Sequence, residues 1–483
     1  MEIYVIQPGD TLSSIAGKYG VSLTGLTQLN GLPNPEQLVV GQAILIPGPP
    51  PGPLQYTVVA GDTLYQLAQI FNTTVTAIAR ANSITNPDLI QVGTALTIPG
   101  WSQMNYIVRP GDSLFIIADR YQTTIDLLVR VNHLTASPMI FPGQILIIPQ
   151  LPAQAARKSI ETLGYFQMTN LTGLRRSLGF ISTYITYGAL FQFPVAADGT
   201  ITAPANTGNA VTILKDFNVR PLIAITNWGQ TGFESELART IMGNATVKAS
   251  TINNLLSLIN QYGFAGVNVD FENMYAEDRQ LFNDFLSDIV NALKPQGFLT
   301  TVAVAAKFSD QPTQSWVGTF EYGTIGRIVD IVFLMDYEWG WIGGPPQAIA
   351  PINLVRRALS YAVTQIPRAK IIQGEPFYGY DWPLPHTPEK LAVPVNLIEV
   401  YDLAYRHNAR INYDNTAEAP WFRYTDGQGV THEVWFEDAR SFEAKYRTTK
   451  EFDVRGAGWW SYVNEPYGFP QNWPLMGELF MVK

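Results

Sequence analysis

Cysteine is absent from the 483-residue chain, which excludes disulfides and thiolate-held metals. Histidine is scarce, at four, with no HExxH and no pair at ligand spacing, so neither a metal nor any other cofactor is expected. Positive charge is in deficit. Lys and Arg total 31 against 40 Asp and Glu, for a net charge of −9 with no long basic run. That argues against nucleic acid or an anionic membrane surface as a partner. No apolar run reaches the roughly 20 residues of a membrane span. The opening MEIYVIQPGD lacks the basic and apolar regions of a signal peptide, and Met1 leads straight into strand-like residues. Charged residues are few, at 15%, against 46% hydrophobic, so a large core is feasible and global disorder is excluded. What is plentiful is aromatic: 11 Trp and 23 Tyr suit stacking on sugars, and they also serve large folds as core filler. The length allows two to four domains.

The N-terminal third repeats one pattern three times. IYVIQPGDTLSSIA, QYTVVAGDTLYQLA and NYIVRPGDSLFIIA align Tyr4 with Tyr56 and Tyr106, and Gly9 with Gly61 and Gly111. Asp10, Asp62 and Asp112 follow, then Leu12, Leu64 and Leu114, and later Asn30, Asn82 and Asn132. Gly41, Gly93 and Gly143 precede a last apolar run that ends at Pro47, Pro99 or Pro149. The offset is 52 residues between the first two copies and 50 between the last two, and is constant inside each copy. Each copy reads as strand, helix, helix, strand. Tyr4-Val5-Ile6 is strand-like. Asp10 is placed to cap a helix over 11–19, and Ser22, Thr74 and Thr124 are placed to cap the second helix. Gly41 permits the turn into 43–46. The modules span 1–48, 54–100 and 104–150 and have thin cores, with the Pro-rich stretch 48–55 as a semi-rigid tether.

Repeated three times in register, this pattern resembles the LysM family, whose modules bind chitin or peptidoglycan through N-acetylglucosamine. The resemblance implies a groove between the Gly-Asp-Thr/Ser-Leu loop (9–12, 61–64, 111–114) and the loop before the last strand (34–40, 86–92, 137–142). Its glycan contacts would be Gly9, Asp10, Thr11, Gly61, Asp62, Thr63, Gly111, Asp112 and Ser113. Turn, cap and core roles account for the repeated Gly, Asp and Leu positions equally well. The third copy departs from the others at Ser113 and at Ser137-Pro138-Met139.

After residue 156 the rhythm changes. Apolar runs at 161–168, 180–187, 219–226, 264–271, 299–306, 328–335, 370–377 and 456–462 alternate with amphipathic segments such as ASTINNLLSLINQYG. Eight strands alternating with helices predict an α/β fold, a parallel (β/α)8 barrel over 157–483 with its chemistry at the C-terminal strand ends. The stretch 383–450, with short alternating runs WFRYTD and THEVWF, reads as a small inserted α+β subdomain before the last strand.

The stretch 264–272 carries the chemistry. Strand alternation points Asn268, Asp270 and Glu272 one way and Val267, Val269 and Phe271 the other. Two carboxylates on one apolar strand are costly to bury. They serve either a reaction or a polar layer closed by hydrogen bonds or a salt bridge. The segment resembles the DxxDxDxE signature of family 18 glycoside hydrolases, with Ala265 and Asn268 in place of the first two aspartates. That resemblance implies that Glu272 is the general acid and that Asp270 orients a substrate 2-acetamido group, which attacks the anomeric carbon to give an oxazolinium ion. This is the substrate-assisted exception to two-carboxylate catalysis. Asn268 would donate a hydrogen bond to Asp270 without sharing its proton. Met335-Asp336-Tyr337-Glu338 resembles the family's MxYD motif, with Glu338 for Asp, and implies that Tyr337 steadies the acetamido carbonyl. By the same resemblance Trp460 floors the −1 sugar, and Tyr165, Met335, Glu338 and Tyr380 line the substrate site. Core packing is the alternative for each aromatic.

The expected activity is hydrolysis of β-linked N-acetylglucosamine glycans by a monomer whose partners are peptidoglycan or chitin strands. The combination of LysM repeats, no signal peptide, no cysteine and Asn268-Val269-Asp270-Phe271-Glu272 resembles the spore-cortex-lytic N-acetylglucosaminidases of endospore formers. Deposition in the spore coat or cortex without a signal peptide is therefore expected, with the extracellular wall as the alternative location. A chitinase and a non-catalytic wall or coat protein are the competing functions.

Overall fold

The computed structural model describes the chain except for residues 33, 48–51, 109–111, 122, 135–138, 151–156 and 463–468. Gly111, Ser137 and Pro138 thus lie outside the described residues. Two compact units emerge. One holds Ile46–Arg157 with Met1–Glu2 and Tyr19–Val21; the other joins Ile3–Lys18 and Ser22–Leu45 to Lys158–Lys483.

Each repeat is closed by bonds between its own recurring residues. Tyr4 donates to Asp10 at 2.8 Å and Tyr56 to Asp62 at 2.7 Å, and Tyr106 pairs with Asp112 in the same way. The same aspartate accepts the backbone N–H of Gln7 in the first copy and of Val59 in the second. Asp10 therefore ties the strand-to-helix loop and does not cap the helix, because the phenol and the loop amide claim its carboxylate. Capping falls one residue later: Thr11, Thr63 and Ser113 accept the N–H groups of Ser14, Gln66 and Ile116. Ser22, Thr74 and Thr124 cap the second helices as expected. Asn30, Asn82 and Asn132 each clasp both backbone groups of a last-strand residue: Leu45, Thr97 and Ile147.

The second and third repeats share one antiparallel sheet of Gly52–Thr57, Ala95–Ile107 and Ile145–Gln150. Its central strand runs out of one repeat into the next. Trp101, midway along it, packs edge-on against Phe71 and donates to the Phe71 carbonyl at 2.7 Å. An unbroken strand, not a tether, joins these two modules.

The barrel strands are Leu163–Gln167, Tyr187–Pro194, Arg220–Thr226, Gly266–Asp270, Leu299–Ala305, Ile331–Met335, Ile371–Pro376 and Gly456–Tyr462. They pair in parallel in chain order, and the last closes on the first. The second strand lies beyond its expected place at 180–187. Residues Leu171–Ile181 are a helix, capped by Asn170, that buries Leu174, Leu178 and Ile181 at helical spacing. Between the seventh and eighth strands comes a five-stranded sheet: Tyr378–Leu384, Val393–Asn396, Asn412–Asp414, Ala419–Thr425 and Thr431–Trp435. Helix Glu399–Arg406 accompanies it, and helix Ala439–Glu451 returns the chain to the barrel.

Candidate active site

Asn268 and Asp270 end the fourth strand, buried on one face, and Glu272 follows two residues on. In register, Asn268 lies beside Thr301 of the fifth strand and Asp270 beside Thr226 of the third. Asn268 accepts the Tyr165 hydroxyl at 2.9 Å and donates to Thr301 Oγ1 at 2.8 Å. The expected bond from Asn268 to Asp270 is not formed. Thr301 takes the amide because it sits directly across the ladder, and Asp270 Oδ1 is buried without a hydrogen-bond partner.

That unmet oxygen sets the electrostatics. Burial raises Asp270 to about 7. Burial also lifts Glu272 well above the usual carboxylate range, helped by the charges of Asp270 and Glu338. Asp270 and Glu272, both desolvated and with the charge of Asp270 acting on Glu272, titrate as a pair and retain a proton at neutral pH. The Tyr337 phenol is pushed up by burial and then by Tyr165, Asp270, Glu272 and Glu338, so it stays a neutral donor among them.

The sixth strand ends at half-buried Met335, and Glu338 beyond it holds a left-handed φ of 67°. Its carboxylate accepts hydroxyls from Tyr380, at 3.0 Å, and from Tyr378. Desolvation raises Glu338 while both tyrosines pull it down. An uncommon backbone conformation held by side-chain bonds is typical of functional loops. On the eighth strand, Trp460 stands edge-on to Tyr165, at 5.1 Å between centroids, and to Phe191, at 4.6 Å.

The fold thus draws Tyr165, Asn268, Asp270, Glu272, Tyr337, Glu338, Tyr380 and Trp460 into one constellation and sets Met335 at its edge. Gly9, Asp10, Thr11, Gly61, Asp62, Thr63, Asp112 and Ser113 stay in the repeats. Sequence reading places Asn227 only in a third-strand segment, 225–229, that matches the family loosely and gives it no role, and it misses Phe191, Thr301 and Tyr378. Asn227 had a signal: it directly follows the third strand, a position where barrels place functional side chains. Among the described residues no group of three or more His, Cys, Asp or Glu is disposed to hold a metal ion.

A parallel eight-stranded barrel with two desolvated carboxylates at and just past the end of its fourth strand, and tyrosines and Trp460 around them, fits the outline of a glycoside hydrolase. The sequence profile of Glycosyl hydrolases family 18 matches residues 161–465, and the chain belongs to that family. The LysM domain profile matches 4–47, 56–99 and 106–149. The chain is 44% identical over 434 residues to the cortical fragment-lytic enzyme of Bacillus subtilis (strain 168), covering 88% of this chain and 98% of that protein. Two solved structures cover 100% of it and 98% of their own chains at 32% identity. They are the spore cortex-lytic enzymes SleL of Bacillus cereus, with a TM-score of 0.81, and of Bacillus megaterium, with 0.76.

Proposed function

We propose that this enzyme hydrolyses β-linked N-acetylglucosamine glycans of spore-cortex peptidoglycan by substrate-assisted retaining catalysis, held on the polymer by LysM repeats. The observation that carries the reading is the placement of Asp270 and Glu272 at and just past the end of the fourth strand, with Asp270 Oδ1 buried without a hydrogen-bond partner and the Glu272 backbone held by Asn227.

Glu272 gives its proton to the glycosidic oxygen as the C–O bond breaks. The acetamido carbonyl oxygen of the same sugar attacks the anomeric carbon from the opposite face, forming an oxazolinium ion. Asp270 accepts the acetamido N–H and balances the positive charge, while Tyr337 donates to the carbonyl oxygen. Water, deprotonated by Glu272, then opens the ring and restores the β configuration. Burial strengthens each of these interactions because little solvent competes for the same charges. Trp460 floors the −1 sugar, and Glu338, held by Tyr378 and Tyr380, lines the substrate site.

The cortex substrate is supported by similarity to enzymes named for that layer, and the reading puts the protein at the spore coat and cortex. Among the described residues no helix is long and apolar enough to cross a membrane. The test is digestion of purified cortex fragments and of colloidal chitin, with products resolved by mass. New muropeptide ends are expected. Rapid release of chitobiose with untouched cortex would replace the cortex reading with that of a chitinase.

A further inference from the structure

The first repeat is bonded to the catalytic domain along the loop and strand edge that would form one side of its groove. The Val40 carbonyl accepts Ile411 N–H at 3.0 Å, and the Gly41 carbonyl accepts the Arg440 guanidinium at 3.2 Å. Gln471 donates to Asn30 Oδ1 at 2.7 Å and to the Ala43 carbonyl at 3.0 Å. Ile411 and Arg440 flank the inserted sheet, and Gln471 precedes the helix Asn472–Leu479.

Two glycines of the first repeat sit at this contact, and one of them, Gly31, differs from the residues in the other copies. Gly31, Ser83 and His133 share one register and left-handed φ values of 58°, 55° and 51°. A side chain is tolerated there in the second and third copies. In the first, a Cβ would stand 2.4 Å from Pro470 Cγ. Gly41, Gly93 and Gly143 likewise share φ of 90°, 88° and 88°. A Cβ on Gly41 would meet the Ile411 carbonyl oxygen at 1.9 Å, whereas one on Gly93 or Gly143 meets nothing within 4 Å.

The loop side chains differ in the same sense. Leu89 and Met139 occupy one register in the second and third copies and are 74% and 72% exposed. The first copy has the polar Gln37 there, and its neighbours Val39 and Gln42 are buried. Exposed apolar side chains on a loop suit the carbon faces and acetyl methyl groups of a glycan.

We propose that the first repeat serves as a brace for the inserted sheet and not as a glycan binder, which leaves the polymer to the second and third repeats. The inference rests on the function above in one respect: the braced sheet carries Tyr378 and Tyr380, which hold Glu338. The test compares Gly41→Ala with Gly93→Ala, which impose the same backbone strain and differ in the clash with Ile411. Gly41→Ala should lower the Tm of the full chain more than Gly93→Ala does, and should slow hydrolysis of a soluble N-acetylglucosamine hexamer severalfold. Its retention on purified peptidoglycan sacculi should match wild type. Leu89→Asp combined with Met139→Asp should cut that retention about tenfold, since linked sites are lost together. Equal Tm values for the two glycine variants would overturn the brace. Gln37→Asp cutting retention as deeply as the double variant would overturn the division of labour. Should Gly41→Ala not fold, Gln471→Leu carries the Tm comparison by removing two bonds without backbone strain. Tm and retention need no turnover, so both stand apart from any failure of the catalytic reading.

Discussion

The Asn227 side chain clasps the peptide of Glu272 from both sides: Oδ1 accepts its N–H and Nδ2 donates to its carbonyl, each at 2.9 Å. Nδ2 also reaches the Glu234 carbonyl at 3.1 Å. Glu272 is thus positioned by the residue that directly follows the neighbouring third strand. Asn227→Ala should lower kcat on the order of 10²-fold through misplacement of Glu272 while leaving KM nearly constant. The alkaline limb of the pH profile should stay in place, since the Glu272 proton is untouched. Asn227→Asp, which keeps the acceptor and loses the donor, should fall between. Steady-state kinetics across pH on a soluble oligomer decide this. A wild-type kcat for Asn227→Ala contradicts the positioning role.

Glu272→Gln removes the transferable proton and keeps the shape. Turnover should fall by at least ~10²–10⁴-fold. Binding of a non-hydrolysed oligomer, followed by calorimetry, should survive. A variant with wild-type turnover would remove Glu272 from the role of acid.

The buried pair makes stability depend on pH with a definite sign. Folded Asp270 keeps its proton to about pH 7, and the unfolded chain loses it in the ordinary carboxylate range. A folded pKa above the unfolded one stabilises fully below the unfolded value, and that contribution disappears as pH rises through the folded value. Asp270→Asn has no such proton to lose. It should raise Tm at pH 8 by roughly 2 °C or more over wild type, and less at pH 4, while activity collapses. Asp336 and Glu375, raised by burial as well, act in the same direction in the wild type. Calorimetry at the two pH values measures the difference; an equal or lower Tm at pH 8 contradicts it.

The repeats are legible in the sequence because each carries its own closing bonds at fixed spacing, as with Tyr4 and Asp10 or Asn30 and Leu45. Strand alternation likewise exposes Asn268, Asp270 and Glu272, which share one short segment. The second strand is misplaced because the run from Phe180 reads as apolar without revealing that Asn170 has already started a helix through it. Phe191 is hidden with that strand. Thr301 and Tyr378 matter through distances that exist once the barrel closes, so local pattern cannot find them. Docking of the first repeat leaves a trace of one residue, Gly31 where the other copies have Ser83 and His133. That trace has no meaning until Pro470 is seen beside it.

The most direct test of the chemistry is the anomeric configuration of the first products, read by proton NMR within the first turnovers on a soluble N-acetylglucosamine oligomer. Attack by the acetamido oxygen beside Asp270 and Tyr337, followed by water on the opposite face, predicts the β-anomer first, with the α-anomer growing in by mutarotation. An initial α-anomer would mean that water displaces the leaving group directly, and would contradict the oxazolinium route.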